Sequence, residues 1–153
     1  MKPQTLQPSL FQVILDQHAR IEELFQVVET SKGAEKREAF KQLAELLERH
    51  EAAEREIVHP LAAQSIDEGV AVTEERLEEE DEASEMLAGL VKAGPSSAAF
   101  DEELQALRLA VLEHATREER YEFKHLAAHR SPEELAELAT RFQEFQDSFR
   151  GKS

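Results

Sequence analysis

The sequence predicts an all-α fold: an up-down-up-down antiparallel four-helix bundle with an additional short C-terminal helix. Three observations carry that expectation. A third of the 153 residues are charged (33%), while Gly and Pro number five each, which is the composition of long amphipathic helices. Apolar residues recur at steps of three and four, and no period of two lasts long enough to make a strand. Four long helical stretches are separated by short breaks, and short connections make neighbouring helices antiparallel. The length suits one domain, with the bundle over about 9–129 and the last helix over about 131–149.

Each element has its own signals. Ser9 with Gln12 reads as a capping box opening a first helix that runs to about Glu29, where Thr30, Ser31 and Gly33 break it. The second helix covers about 34–64, and Pro60 predicts a kink or an early end near His59. Ser65 to Val72, with Gly69, reads as a loop; Thr73 then caps a third helix that ends before Gly94 and Pro95. The fourth helix spans about Ser97 to His129. Ser131, Pro132 and Glu134 supply cap, first-position proline and capping-box glutamate for the last helix. Its Leu135, Leu138, Phe142, Phe145 and Phe149 form one stripe to pack on the bundle.

Composition excludes several function classes. The formal net charge of −15, with no Lys/Arg cluster to offset it, repels phosphate backbones and anionic lipid, so neither nucleic acid nor a membrane surface is an expected partner. With no cysteine, thiolate metal sites, iron–sulfur clusters and thiol nucleophiles are excluded. Any metal must sit on nitrogen and oxygen. Met1 to Pro8 is short and polar, without the apolar core of a signal peptide, and no run approaches the ~20 apolar residues of a membrane span. A cytoplasmic location is the expectation.

The core-facing stripes carry the chemistry. The first helix gives Phe11, Ile14, His18, Ile21, Phe25 and Val28, and the second gives Phe40, Leu43, Leu47, His50, Glu54, Ile57 and Leu61. The third gives Leu77, Glu80, Ser84, Leu87 and Val91, and the fourth Phe100, Leu104, Leu107, Val111, His114, Glu118, Tyr121 and His125. These stripes are apolar except near one level, where His and Glu appear. Antiparallel neighbours pair symmetrically about their turn, and the midpoints between successive polar positions fall near residues 35, 66 and 98. Each lies within about two residues, or about 3 Å of rise, of a proposed turn. The four helices thus deliver His and Glu to one layer.

Carboxylates in that layer have no Lys or Arg on the stripes to pair with, and an uncompensated buried charge costs several kcal/mol. A bound cation resolves the conflict. His50 with Glu54, and His114 with Glu118, are four apart, so imidazole and carboxylate project the same way from adjacent turns. Each pair can give a nitrogen to one metal and a carboxylate that bridges to a second about 3.5–4 Å away. Such mixed donors suit iron, with manganese or zinc as substitutes. The chain also repeats: His50 and Glu54 return 64 residues later as His114 and Glu118, and Gln17-His18 corresponds to Glu79-Glu80 at a shift of 62.

The segments DQHARIEELF, HEAAEREIVHPL and HATREERYEF resemble the hemerythrin and HHE cation-binding family over about residues 10–129. By that resemblance His18, His50, Glu54, His114 and Glu118 occupy ligand positions of an oxo-bridged site for two iron ions, with Glu54 and Glu118 as bridges. The third helix departs from the family pattern, with Glu80 in place of the expected His and Ser84 in place of a second one; Glu80 is taken as a ligand, with Glu79 the alternative register. Tyr121, a turn beyond Glu118, is expected to hydrogen-bond a bound oxygen species or to pack with its hydroxyl satisfied. His125 is given a supporting or surface role, His59 structural packing, and His129 exposure.

Three functions follow as expectations. The first is a di-iron protein that binds and reacts with peroxide, O2 or NO, as a catalase- or peroxidase-like enzyme or as a carrier. The second is an iron-responsive or storage module without turnover. The third, a plain helical interaction bundle, is disfavoured by the charged layer.

Overall fold

The computed structural model describes residues 9–65 and 69–149, and among these every regular element is helical. Helix α1 spans Leu10–Thr30, with the Ser9 hydroxyl accepting from the Gln12 amide at 3.2 Å, the cap expected from the sequence. Helix α2 (Gly33–Ala53) passes through a π-helical turn, Glu54–Val58, into α3 (His59–Ser65). Helix α4 covers Gly69–Ala93. Helix α5 (Phe100–Arg117) likewise passes through a π turn, Glu118–Glu122, into α6 (Phe123–Ala128). Helix α7 (Pro132–Ser148) opens on Ser131, whose hydroxyl accepts from the Glu134 amide at 3.2 Å.

Three boundaries differ from expectation. The loop proposed for Ser65 to Val72 is helical from Gly69 onward, while residues 66–68, like Met1 to Pro8, lie outside the described residues. Thr73 is therefore inside α4, and its hydroxyl reaches back to the His59 carbonyl at 3.4 Å. Glycine at 69 is required by proximity, because a Cβ there would stand 2.2 Å from the Ala62 carbonyl oxygen. The fourth helix begins at Phe100 rather than Ser97. Gly94 turns the backbone out of α4 at φ 82°, its amide closing on Leu90 O at 2.8 Å, and a turn carries the chain through Ser97. The second helix does not end early at Pro60 but runs on to Ser65, and it widens just before the proline. The His59 amide bonds Glu54 O, five residues back, and the second π turn does the same from Phe123 to Glu118 O with Lys124 where the first has Pro60.

Two apolar clusters sandwich the polar layer. One joins Phe25, Val28, Phe40, Leu43, Leu47, Leu87, Leu90, Phe100, Leu104 and Leu107 from α1, α2, α4 and α5. The other joins Leu10, Ile14, Ile57, Val58, Leu126, Leu138 and Phe142 from α1, the first π turn, α6 and α7. Phe25, Phe100 and Phe142 are fully buried, each worth about 1.5–3 kcal/mol of transfer free energy. Across the surface, Arg108 of α5 clasps Glu22 and Glu29 of α1. No helix among the described residues is long and apolar enough to cross a membrane.

Candidate metal centre

The layer between the two clusters collects His18 from α1, His50 and Glu54 from the second helix, Glu80 from α4, and His114 and Glu118 from the fourth. Glu54 and Glu118 are fully buried, Glu80 is 1% exposed and His50 4%. Donor atoms of His18, His50 and Glu54 lie within 4.8 Å of one another, as do those of Glu54, Glu80, His114 and Glu118.

Three histidines share one mode of attachment. His50 donates Nδ1–H to Gln17 Oε1 at 2.8 Å, His18 to Glu119 Oε1 at 3.1 Å, and His114 to Glu79 Oε1 at 3.1 Å. Each acceptor is an oxygen, so each ring is held with its proton outward on Nδ1 and its Nε2 lone pair inward. His18 Nε2 and His50 Nε2 face each other at 3.1 Å, with Glu54 Oε1 3.2 Å from the latter. His114 Nε2 stands 3.4 Å from Glu80 Oε1 and from Glu118 Oε2. Two lone pairs and a carboxylate oxygen at such range repel one another unless a cation stands among them.

That requirement tests whether the residues fit a metal. Both carboxylate oxygens of Glu54, both of Glu118 and the inward nitrogen of His114 are buried without a hydrogen-bond partner. A buried polar atom left so costs roughly 1–3 kcal/mol, more when charged, and here the atoms converge. The electrostatics agree. Burial raises Glu118, and the facing Glu54 raises it further. Burial would lower His114, but the carboxylates of Glu118, Glu54, Glu79 and Glu80 drive it strongly upward. The layer is a sink for positive charge, and its donors fit a hard cation.

Glu80, not Glu79, enters the layer. Its Oε1 accepts from His59 Nε2 at 2.8 Å and its Oε2 from Arg55 Nε at 3.0 Å. Glu79 lies outside as the acceptor for His114, tied to Arg76 and Arg117. Burial pushes its carboxyl up, but the hydrogen bonds from His114, Arg76 and Arg117 prevail and hold it at about 2.

The π turns correct two placements. Tyr121, expected on the inward stripe, is 38% exposed and packs on His125, their ring centroids 4.8 Å apart. An i→i+5 turn advances the inward face by one residue, so Glu122 is buried in its stead. For the same reason His59, given a packing role outside the layer, is 2% exposed and inside it. His59, Glu118 and Glu122 bring further donor atoms within 4.8 Å, though Arg76 Nε already meets Glu122 Oε1 at 2.6 Å. The readable signal was a His five residues after Glu54. Ser84 also misses the layer: Ala83 is buried and Ser84 is exposed, donating to Glu51 Oε2 at 2.9 Å.

Residues 9–126 match the model of the Hemerythrin HHE cation binding domain, a span that holds the whole layer and stops short of α7. A crystal structure of a hemerythrin HHE cation-binding domain-containing protein from Mycobacterium kansasii superposes with a TM-score of 0.77, covering 92% of this chain and 89% of that one. The two are 20% identical, so the likeness is one of fold. No curated protein matches the sequence. A family match over three-quarters of the chain, on a layer of inward imidazoles and unpartnered carboxylates, leads to one conclusion: the chain belongs to the hemerythrin HHE cation-binding domain family.

Proposed function

We propose that this chain is a non-heme di-iron protein that binds and reacts with a small oxygen species, peroxide above all, in the manner of a catalase or peroxidase. The convergence of unpartnered donors carries the reading: Glu54 and Glu118 offer both oxygens each, between His18 and His50 on one side and His114 and Glu80 on the other. His18 and His50 would hold one ion, His114 and Glu80 the other, with Glu54 and Glu118 shared. A pair of iron ions supplies Lewis acidity and one-electron redox chemistry when bound.

The chain's own residues bind, orient and shield. Gln17, Glu119 and Glu79 fix the three imidazoles from outside. Ile21, Leu47, Ala83 and Val111 form the apolar part of the wall of a space of about 20 Å³ that His18, His50, Glu54, Glu80 and His114 also line. That water-sized space lies among the donors that would hold the ions, and its apolar wall shields them from bulk water. The same reading takes the long helical arms as an up-down-up-down antiparallel bundle, supported by the packing of α1 on α2, α3 on α4 and α4 on α5.

Metal analysis and an optical spectrum of the purified protein test the centre, and oxygen evolution from peroxide by the iron-loaded protein tests the reaction. The expected result is close to two irons per chain, near-ultraviolet and visible absorption, and peroxide consumption well above that of free iron. Two irons without turnover would move the reading to a carrier or an iron-responsive module. Protein that holds no metal, and is not stabilised by adding iron, overturns it.

A further inference from the structure

We propose that the paired side-chain amides of Gln17 and Gln146 position His50, and that α7 is thereby a working part of the metal centre rather than an external strut. The inference rests on the di-metal reading above and adds to it a helix that the family match does not cover.

Gln17 Oε1 accepts from His50 Nδ1 at 2.8 Å and from Gln146 Nε2 at 2.8 Å, while Gln17 Nε2 donates to Gln146 Oε1 at 2.7 Å. The two amides therefore close a reciprocal pair across α1 and α7, and the pair presents a carbonyl oxygen to the imidazole. A carbonyl only accepts, so His50 keeps its proton on Nδ1 and its Nε2 lone pair toward Glu54. Gln146 is 6% exposed, the one polar residue on a buried stripe that otherwise reads Leu138, Ala139, Phe142. Phe142 packs edge-on against the same imidazole, with centroids 6.1 Å apart. A buried amide is retained where its hydrogen bonds do something a leucine cannot.

The internal repeat supports the role. Gln17 corresponds to Glu79 at the shift of 62 that brings His18 onto Glu80, and Glu79 is the acceptor for His114 Nδ1. Both acceptors are themselves held from outside: Glu79 by Arg76 and Arg117, Gln17 by Gln146. Two halves of the chain solve one orientation problem with the same position, and α7 supplies the anchor for the first half.

The test is a cobalt(II) titration of the full-length protein stripped of metal, read by affinity and by the visible ligand-field bands, beside thermal melting without metal. Gln17→Leu and Gln146→Leu each lower cobalt affinity about tenfold or more and shift the bands. Gln17→Glu, which keeps an oxygen facing His50, binds close to wild type, as does Gln143→Leu on the exposed side of α7. Leucine variants that bind cobalt with wild-type affinity and spectrum overturn the positioning role. So does a Gln17→Glu protein as weak as Gln17→Leu, since only packing would then be at stake. Wild-type protein that takes up neither cobalt nor iron overturns this inference together with the di-metal reading, whereas metal-replete leucine variants overturn this inference alone.

Discussion

Arg55 meets Glu80, Nε to Oε2 at 3.0 Å, from the position that Glu119 holds in the second half of the repeat, where Glu119 meets His18 at 3.1 Å. The shift of 64 takes Arg55 to Glu119 and the shift of 62 takes His18 to Glu80. The same outer contact is thus made twice with its charges inverted: carboxylate outside imidazole in one half, guanidinium outside carboxylate in the other. Glu80 is not a stray member of the acidic run Glu78 to Glu82; its departure from the family's His comes with a matched partner. Arg55 is 39% exposed, so solvent screens the pair and its own stabilisation is small. Its effect is orientation, occupying Oε2 and leaving Oε1 to face His59 and His114.

Exchanging both partners should therefore be milder than exchanging one. Arg55→Glu sets two carboxylates against each other, and Glu80→His leaves a guanidinium against an imidazole. The double variant restores an imidazole–carboxylate contact of the kind His18 makes. A double-mutant cycle on iron retained after desalting should give a favourable coupling of about 0.5–3 kcal/mol. Simply additive losses would show that the inverted contact carries no information about the site.

Glu118 should display opposite effects with and without metal. Burial and the charge of Glu54 raise its carboxyl, so Glu118→Gln removes a buried repulsion from the metal-free protein and should raise its melting temperature. In the iron-loaded protein the amide is a neutral, weaker donor, and iron content and stability should both fall. Glu54→Gln should likewise lose iron, whereas Glu45→Gln, on the exposed side of α2, should change neither. Iron content equal in all three variants would remove Glu54 and Glu118 from the site.

His50→Ala and His114→Ala should each lower bound iron and make the protein no more stable in iron than in chelator. Deleting one imidazole removes binding free energy that the fold had captured and leaves converging carboxylates without their cation, a loss of about 3–5 kcal/mol for a broken buried pair. The check is the shift in melting temperature on adding chelator. A shift in both variants as large as wild type's would contradict it.

Much of this architecture was legible because helical period and capping are local. The Ser9 and Ser131 caps, the inward Phe25, Leu43, Leu47 and Leu104, and the level shared by His18, His50, Glu54, Glu80, His114 and Glu118 all follow from counting threes and fours. Counting failed where the backbone leaves that period. Beyond Glu54 and Glu118 each helix makes an i→i+5 turn, which brings His59 and Glu122 inward and sends Tyr121 outward. Along α4, strict alternation chose Ser84 and Val91, but the helix buries Ala83 and Leu90, because a true pitch of 3.6 drifts from a 3.5 repeat. The outer partners Gln17, Glu79 and Glu119 each precede or follow an inward residue by one. Nothing in sequence distinguishes them from solvated neighbours until the helices are placed side by side.

Glu80 also sets the direction of a redox prediction. It is the third buried carboxylate of the layer, beside Glu54 and Glu118, and each brings a negative charge that favours the ferric over the ferrous state. A unit charge about 4 Å from a metal contributes about 4 kcal/mol at an effective dielectric of about 20. For a one-electron step that is roughly 170 mV. Glu80→His, reconstituted with excess iron(II), should therefore have a reduction potential higher by about that amount in spectroelectrochemical titration. With the ferrous state easier to keep, the variant should gain oxygen binding and lose peroxide turnover relative to wild type. Arg55 adds to the shift, since a guanidinium near the new imidazole raises the potential further and weakens the ligand; Glu80→His with Arg55→Glu should therefore lie below the single variant. A potential for Glu80→His equal to or below that of wild type would show that Glu80 does not bear on the metals, and with it would go the argument from the third carboxylate to peroxide chemistry.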